Sequence, residues 1–438
     1  MENSTSITSE IITNDLLPQK FGKLGMIWTG VLIAFCLVGA FAYYLQLKNC
    51  LSVTAMRDYV SWGIYISNFV FFVAISLVGS LITAVFRLAN VKWSTPLTRI
   101  AEIIAVSAIL FASLIIIVDM GRPERLFNLF LYGRLQSPIM WDVIVIGTYL
   151  FLSLLLLYFP LLPDLKILMG SRKGSTKKYN KLYHFLGSFW KGGRLQNMLN
   201  KRAVNVLCVT IIPVAFCIHT VTSWLFATTY RPGWDSTNFG AYFISGAFLV
   251  GAGGVLIAMY IFRKAYNLEK YITEKHFDKM GRIVVLLALL YLYFNVNEYL
   301  VPAFKMKKSE DAHLTQLFAG DYAPIFWFAI LAGMIIPILI LIFKKGRKPL
   351  PALIAGILVV VGAWFKRYLI VTPTLLHPFL PMTDVPENYK HYFPSWQEWA
   401  IAMGSLAGAL LIITFFARVF PIIPIQETIN EQHETTAK

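Results

Sequence analysis

Ten runs of about 20 mostly apolar residues recur along this chain, at 25–45, 61–87, 99–119, 140–160, 203–225, 240–262, 283–304, 323–343, 350–372 and 399–418. A helix of that length spans the roughly 30 Å hydrocarbon layer of a bilayer. Lipid offers backbone amides no hydrogen-bonding partner, so each run satisfies its own and is a helix. The alternating ten-residue segments of a membrane β-barrel are absent. Only 14% of the 438 residues are charged, against about 25% in soluble domains. The fold class expected is therefore an all-α integral membrane protein with about ten transmembrane helices. The first 24 residues are polar and the first apolar run lacks a small-residue cleavage site, so no signal peptide is expected.

A net charge of +16 invites a nucleic-acid reading, but topology accounts for it. The N-terminal tail, the connections after even-numbered spans and the C-terminus hold about 27 of the 39 Lys and Arg; the opposite connections hold about 10. Positive charge stays cytoplasmic, which puts both termini inside a cytoplasmic (inner) membrane and excludes a nucleic-acid partner. The richest loop, Arg172-Lys173-Gly174-Ser175-Thr176-Lys177-Lys178, is placed to meet anionic lipid as well. Cys36, Cys50, Cys208 and Cys217 form no CxxC pair, so no iron–sulfur or zinc site is encoded.

A pattern returns after four spans. Gly63-Ile64-Tyr65 opens span two and Gly240-Ala241-Tyr242 span six; Ser137-Pro138-Ile139-Met140-Trp141 opens span four and Ala323-Pro324-Ile325-Phe326-Trp327 span eight. An offset of four preserves orientation, as in a parallel repeat. The organisation expected is a tail (1–24), a flanking helix with its outer loop (25–60), a four-helix bundle (61–230), a second bundle (231–380), and a last flanking helix with a tail (381–438). Where the copies align, Asp119, Asp142 and His219 of the first bundle face Glu298, Phe328 and Arg367 of the second. One acid and one fixed base neutralise each other in the second. Two acids and an imidazole make a different kind of site.

Charges at bilayer depth cost on the order of 3 kcal/mol each, so they default to functional candidates. Asp119 ends span three, Asp142 lies one turn into span four, and His219 lies in the outer third of span five. Glu298 and the pair Lys366-Arg367 share that depth, and Trp62, Tyr65 and Asn68 share one side of span two. Together they suit a quinol headgroup. Its oxidation releases two electrons and two protons, so both oxygens need hydrogen bonds and the protons need carboxylates and imidazole. Trp141 and Trp224 suit a flat ring. Taken singly, Asp119 is a helix-end partner for Arg122 or Arg125, Asp142 an acid favoured by a helix N-terminus, and His219 a core histidine. Glu102, one turn into span three from the cytoplasmic side with Ser107 and Ser113 above it, is either the mouth of a proton path or a helix-start acid.

The stretch Trp62-Gly63-Ile64-Tyr65-Ile66-Ser67-Asn68-Phe69, then Trp93-Ser94-Thr95-Pro96, Arg99 through Glu102, Gly121-Arg122-Pro123 and Ser137-Pro138-Ile139-Met140-Trp141-Asp142 resembles the NrfD/polysulfide-reductase membrane-subunit family. His219 with Ser223-Trp224, Pro232-Gly233-Trp234, Tyr271-Ile272-Thr273-Glu274-Lys275-His276 and Glu298 extend the similarity over residues 20–425. With ten spans, the chain looks most like the quinol-binding subunits of alternative complex III and related sulfur-metabolism complexes in bacteria and archaea. The resemblance implies a subunit with no haem or iron–sulfur cluster of its own, and no complete enzyme alone. It would exchange electrons between a menaquinol-type quinone and an iron–sulfur ferredoxin-like subunit docked on the outer (periplasmic) face. A second homologous membrane subunit, a multihaem cytochrome c or a molybdopterin subunit are further partners it implies. Family quinone-site positions carry over onto Asp119, Asp142, His219 and Arg367, with Tyr65 nearby. Many alternative complex III subunits have His where this chain has Asp119, and a longer connection to Asp142.

Three further readings compete. A b-type cytochrome needs facing imidazoles within the bilayer, and of seven histidines His219 alone falls inside a span. A secondary transporter would use broken, Gly-rich helices near the midplane, for which Gly251-Ala252-Gly253-Gly254 is the candidate. A passive membrane anchor would use none of the buried charges.

Overall fold

The computed structural model describes residues 2–19, 22–171, 176–229, 231–305, 307–378 and 383–436. Residues 172–175 of the basic loop lie outside the described residues. Among those described, ten helices are long and apolar enough to cross a membrane: Lys23–Val53, Ile64–Leu88, Lys92–Asp119, Pro138–Gly170, Arg194–Ala227, Phe239–Ala265, Glu274–Lys305, Ala323–Ile342, Pro349–Leu375 and Trp396–Val419. They are spans one to ten. No strand occurs among the described residues, and the chain is an all-α, multi-pass membrane protein.

Two boundaries differ from the sequence expectation. Span four runs on to Gly170 through Pro160 and Pro163. A proline inside a helix leaves the carbonyl four residues earlier without its N–H donor. Here the Phe159 carbonyl, which Pro163 cannot serve, accepts from Asn200 Nδ2 at 3.1 Å. The helix therefore continues past the apolar run. Span five starts at Arg194, where Asn197, Asn200 and Lys201 turn a polar stripe toward span four's end rather than ending the helix.

Span two packs on span three, three on four and four on five, and five returns to the π-helical segment Ser80–Val85 of span two. Span six packs on seven and nine, and eight bridges seven and nine. Spans two to five make a first set and spans six to nine a second. Span two joins them, lying against six and nine, and is almost wholly buried. Spans one and ten cross at Gly39 and Gly404, where a Cβ on either would come within 3.0 Å of the other's backbone. Most of span one is exposed, as expected of a helix facing lipid.

The two ends differ chemically. At one, Arg99 is fully buried and donates to Asp164 at 2.6 Å and to the Pro160 and Pro421 carbonyls at 3.2 Å. Asp164 also accepts from the backbone N–H groups of Ile425 and Gln426 at 3.0 and 2.9 Å, at the start of helix Ile425–Thr436. An anion there meets the positive end of the helix dipole. The other end carries Asp119.

Candidate functional site

Asp119 is the last residue of span three. Next to it, the Val118 carbonyl accepts from Gln46 Nε2 at 2.8 Å, and Gln46 Oε1 accepts from the Tyr65 hydroxyl at 2.7 Å. That chain locks the ends of spans one, two and three. Asp119 Oδ1 is buried without a hydrogen-bond partner, and among the described residues no ion pair joins Asp119 to Arg122 or Arg125. The charge within electrostatic reach is another acid, Glu398 of span ten, and Tyr65 senses both. Glu398 is fully buried and accepts from the N–H groups of Ala55 and Ser395 and from the Tyr392 hydroxyl, at 2.8, 2.8 and 2.7 Å. Burial and the Glu398 carboxylate push the Tyr392 hydroxyl above the usual tyrosine range.

Asp142 sits one turn into span four, which Pro138 starts without needing an N–H donor. Its Oδ1 accepts from Thr222 Oγ1 at 2.7 Å. Thr222 stands one turn along span five from His219, so both residues address the same region. His219 is 2% exposed and its Nε2 has no partner. Arg367 of span nine lies within electrostatic reach of it. The Arg367 guanidinium stacks 4.8 Å over the Phe243 ring and donates to the Phe243 carbonyl at 3.4 Å, while Nη1 is buried without a partner. Gly246 makes room for it: a Cβ there would stand 3.0 Å from Arg367 Nη2 and 2.7 Å from Tyr291. Asn68 accepts from Trp364 Nε1 at 2.6 Å and leaves its Nδ2 unpaired.

Among the buried polar atoms at this end that lack a partner are Asp119 Oδ1, His219 Nε2, Asn68 Nδ2 and Arg367 Nη1; Tyr242, Glu310, His313 and Thr372 of the second set hold others. Buried polar groups are nearly always hydrogen-bonded, so such a group needs an explanation, for example an ion, water or ligand. No hydrogen bond or ion pair among the described residues joins Asp119, Asp142 and His219 to one another. Each is held from a different pair of helices.

Some expectations need correcting. Trp62 is not on span two's face, because the helix starts at Ile64. It precedes the helix and stacks on the buried Trp234 at 6.0 Å. Tyr65 and Asn68 point to spans one and nine respectively, so the three do not line one wall. Trp141 meets Trp224 edge-on at 6.5 Å, and Trp224 is about half exposed. In the second set, the base facing Glu298 is Lys366, not Arg367. Glu298 accepts from Ser236 Oγ at 2.8 Å. Lys366 donates to the Tyr299 hydroxyl inside a cage of the Tyr242, Tyr299 and Phe326 rings, a cation–π setting. A cavity of about 30 Å³ lies beside Glu298, Tyr242, Glu310 and His313, room for water and too small for an aromatic ring.

Glu102 is at the opposite end, buried, with neither oxygen hydrogen-bonded. Arg87, Arg99 and Glu427 are the charges around it. The Ser107 and Ser113 hydroxyls above it donate to their own helix, to Ile104 and Ile109 carbonyls at 3.0 and 2.9 Å.

Sequence reasoning missed Glu398 and Gln46. Glu398 had a signal: Ser395-Trp396-Gln397-Glu398 is a capping box, with Ser395 Oγ accepting from Glu398 N at 3.3 Å. Gln46, a neutral amide one residue past a predicted span, had none.

A family model described as Polysulphide reductase, NrfD matches residues 52–378. The chain is 23% identical over 418 residues to a selenate reductase subunit of Mesobacillus selenatarsenatis, covering 92% of this chain and 96% of that protein. It is 27% identical over 423 residues to a putative dimethyl sulfoxide reductase membrane subunit of Halobacterium salinarum, covering 92% and 93%. It is 22% identical over 417 residues to the integral membrane subunit of menaquinone reductase of Nitratidesulfovibrio vulgaris, covering 93% and 94%.

Proposed function

This chain belongs to the NrfD polysulphide reductase family, and from that premise we propose that it is the quinone-reactive membrane subunit of a respiratory oxidoreductase complex. The observation that carries the proposal is that Asp119, Asn68, His219 and Arg367, at one end of the molecule, each keep a buried polar atom without a partner. A quinol brings two hydroxyl groups. A carboxylate and an imidazole accept their protons, while an amide and a guanidinium donate to the oxygens as the ring becomes a quinone. Two protons and two electrons leave together. One proton passes to His219 and one to the Asp119 carboxylate, with Asp142 available to relay from His219, and the electrons pass to an iron–sulfur partner docked at this end, taken as the outer face with both termini cytoplasmic. One relative's name, menaquinone reductase, supports a quinone of that class. The names of the relatives as subunits support catalytic partners.

Span six supports electron transfer over solute transport. It runs unbroken through Gly251–Gly254, where Gly251 packs on Val78 and Gly253 on Val359, so these glycines serve close helix packing. Proton translocation would use Glu102 as its entry.

The test is made in the intact complex. Asp119→Asn, Asp142→Asn and His219→Gln should each lower quinol turnover about tenfold or more, the scale of lost acid–base catalysis, with the complex still assembled. Unchanged turnover in all three would reduce the chain to an anchor and end the proposal.

A further inference from the structure

At the end opposite Asp119 a cavity of about 700 Å³ opens between the ends of spans two and four, the start of span five and helix Ile425–Thr436. Span five turns Asn197, Asn200, Lys201 and Asn205 into it, the spacing of a single helical face. Span four adds Lys166 and span two Arg87. Arg87 is already matched, pairing with Glu427 at 2.8 Å. Among the described residues no further carboxylate lines the cavity, so Lys166 and Lys201, both exposed, are two positive charges without a counter-ion there. Lys166 Nζ holds the Lys191 carbonyl at 2.8 Å and keeps further N–H donors.

The surface beside the cavity is apolar. On the flank of span five beside Asn205, Met198, Val209 and Phe216 are 42%, 59% and 44% exposed. Phe185 and Phe189, by the helix Thr176–Gly187 with its Lys177, Lys178 and Lys181, are 76% and 84% exposed. In a multi-pass membrane protein such a band meets acyl chains. A charged, amide-rich recess whose rim continues into a lipid-facing stripe has the division of an anionic phospholipid: phosphodiester and glycerol hydroxyls above, hydrocarbon below.

We propose that this cavity is a binding site for the headgroup of an anionic phospholipid. Lys166 and Lys201 pair with the phosphodiester, the asparagine amides hydrogen-bond its oxygens and the glycerol hydroxyls, and the acyl chains lie along span five. Charge selects against zwitterionic lipid, because Glu427 is the one carboxylate among the described wall residues and Arg87 occupies it. Volume selects against a bare anion: the space is that of a small-molecule site. Nothing in this site depends on the quinone chemistry at the other end.

The full chain, purified in mild detergent, provides the test. Native mass spectrometry should find a retained phosphatidylglycerol-class lipid. Thermal unfolding should shift upward on titration with phosphatidylglycerol and not with phosphatidylcholine or inorganic phosphate. Lys166→Gln and Lys201→Gln should each weaken the lipid about fivefold, the contribution of one basic residue at an anionic membrane surface. Lys344→Gln with Lys345→Gln, which removes twice the charge of either variant from the same end of the molecule, should leave the affinity as it was. Should Lys166→Gln fold poorly, Lys201→Gln alone reads the same effect from an exposed position. Equal stabilisation by phosphatidylcholine, equal stabilisation by phosphate alone, or undiminished lipid in the lysine variants would each overturn the proposal.

Discussion

The first and second sets of spans solve the same physical problem, charge at bilayer depth, in opposite ways. The second set gives Glu298 a hydroxyl donor, Ser236, and a base, Lys366, within reach, and wraps Lys366 in three aromatic rings. That is how a buried charge is made tolerable: hydrogen-bonded, stacked and with an opposite charge near it. The first set carries Asp119, Asp142 and His219, yet Asp119 has only a second acid in electrostatic reach, and His219 has Arg367, a base lent by the second set. Partnerless polar atoms occur in both sets, at Tyr242, Asn295 and His313 of the second as well; the difference is that the acid of the second set has a base near it and Asp119 has another acid.

Arg367 is the residue on which this contrast turns, so its removal should have the largest effect. Arg367→Ala, measured in the intact complex, should lower quinol turnover about a hundredfold, the scale of a lost electrostatic donor at a reacting oxygen. Arg367→Lys should recover little of it, since a lysine cannot both stack on Phe243 and offer two planar donors. Turnover near wild type in Arg367→Ala would make the two sets independent.

Lys366, its neighbour, should behave differently. Lys366→Met removes the base in electrostatic reach of Glu298, with which it makes no direct ion pair, and leaves the Tyr299 hydroxyl without its donor, so it should destabilise the protein by about 1–3 kcal/mol. Adding Glu298→Gln should restore part of that loss, read by thermal unfolding. Turnover per folded complex should fall less than in Arg367→Ala. A turnover defect as deep as that of Arg367→Ala would place Lys366 in the working site and dissolve the distinction.

The contrast was half legible in the sequence. The ten spans stand out because apolar runs of bilayer length seldom arise except to cross a membrane, and Asp119, Asp142 and His219 stand out as charges inside them. The facing of Lys366 and Arg367 was not legible. Adjacent residues on a helix point about 100° apart, and which one meets Glu298 depends on how span nine is rotated, a tertiary fact. Trp62 was misplaced for a related reason: its i, i+3, i+6 spacing to Tyr65 and Asn68 has meaning only inside a helix, and the helix begins at Ile64. Span four's extension past Pro160 and Pro163 depends on Asn200, which sequence order puts far away.

Glu102 supplies a smaller and more selective effect. It is remote from the Asp119 end, so Glu102→Gln should leave quinol turnover within about twofold, while the ratio of protons translocated to electrons transferred in reconstituted vesicles falls. An unchanged ratio removes Glu102 from any proton path and leaves its surroundings of Arg87, Arg99 and Glu427 a structural cluster.

The smallest effect belongs to His313, in helix Lys308–Phe318 between spans seven and eight. Burial holds its imidazole down to about 3, and the charges of His377 and Lys366 push the same way. Around it stand Glu310 of its own helix, the His377 ring at 5.8 Å, and Gly233, where a Cβ would lie 3.1 Å from the imidazole Nε2. In the unfolded chain the same group titrates near 6.5. Between these values the unfolded state binds the proton and the folded state does not. Stability from the neutral His313 is therefore complete above about pH 6.5 and declines as pH falls from there toward 3. Hydrogen exchange over residues 308–318 should accordingly show less protection, after correction for intrinsic rates, at about pH 5 than at about pH 7.5, and His313→Gln should flatten that difference. If protection is the same at both pH values in the unaltered protein, the second set tolerates a charged imidazole beside Lys366, and the view that it admits charge only in compensated form fails at its edge.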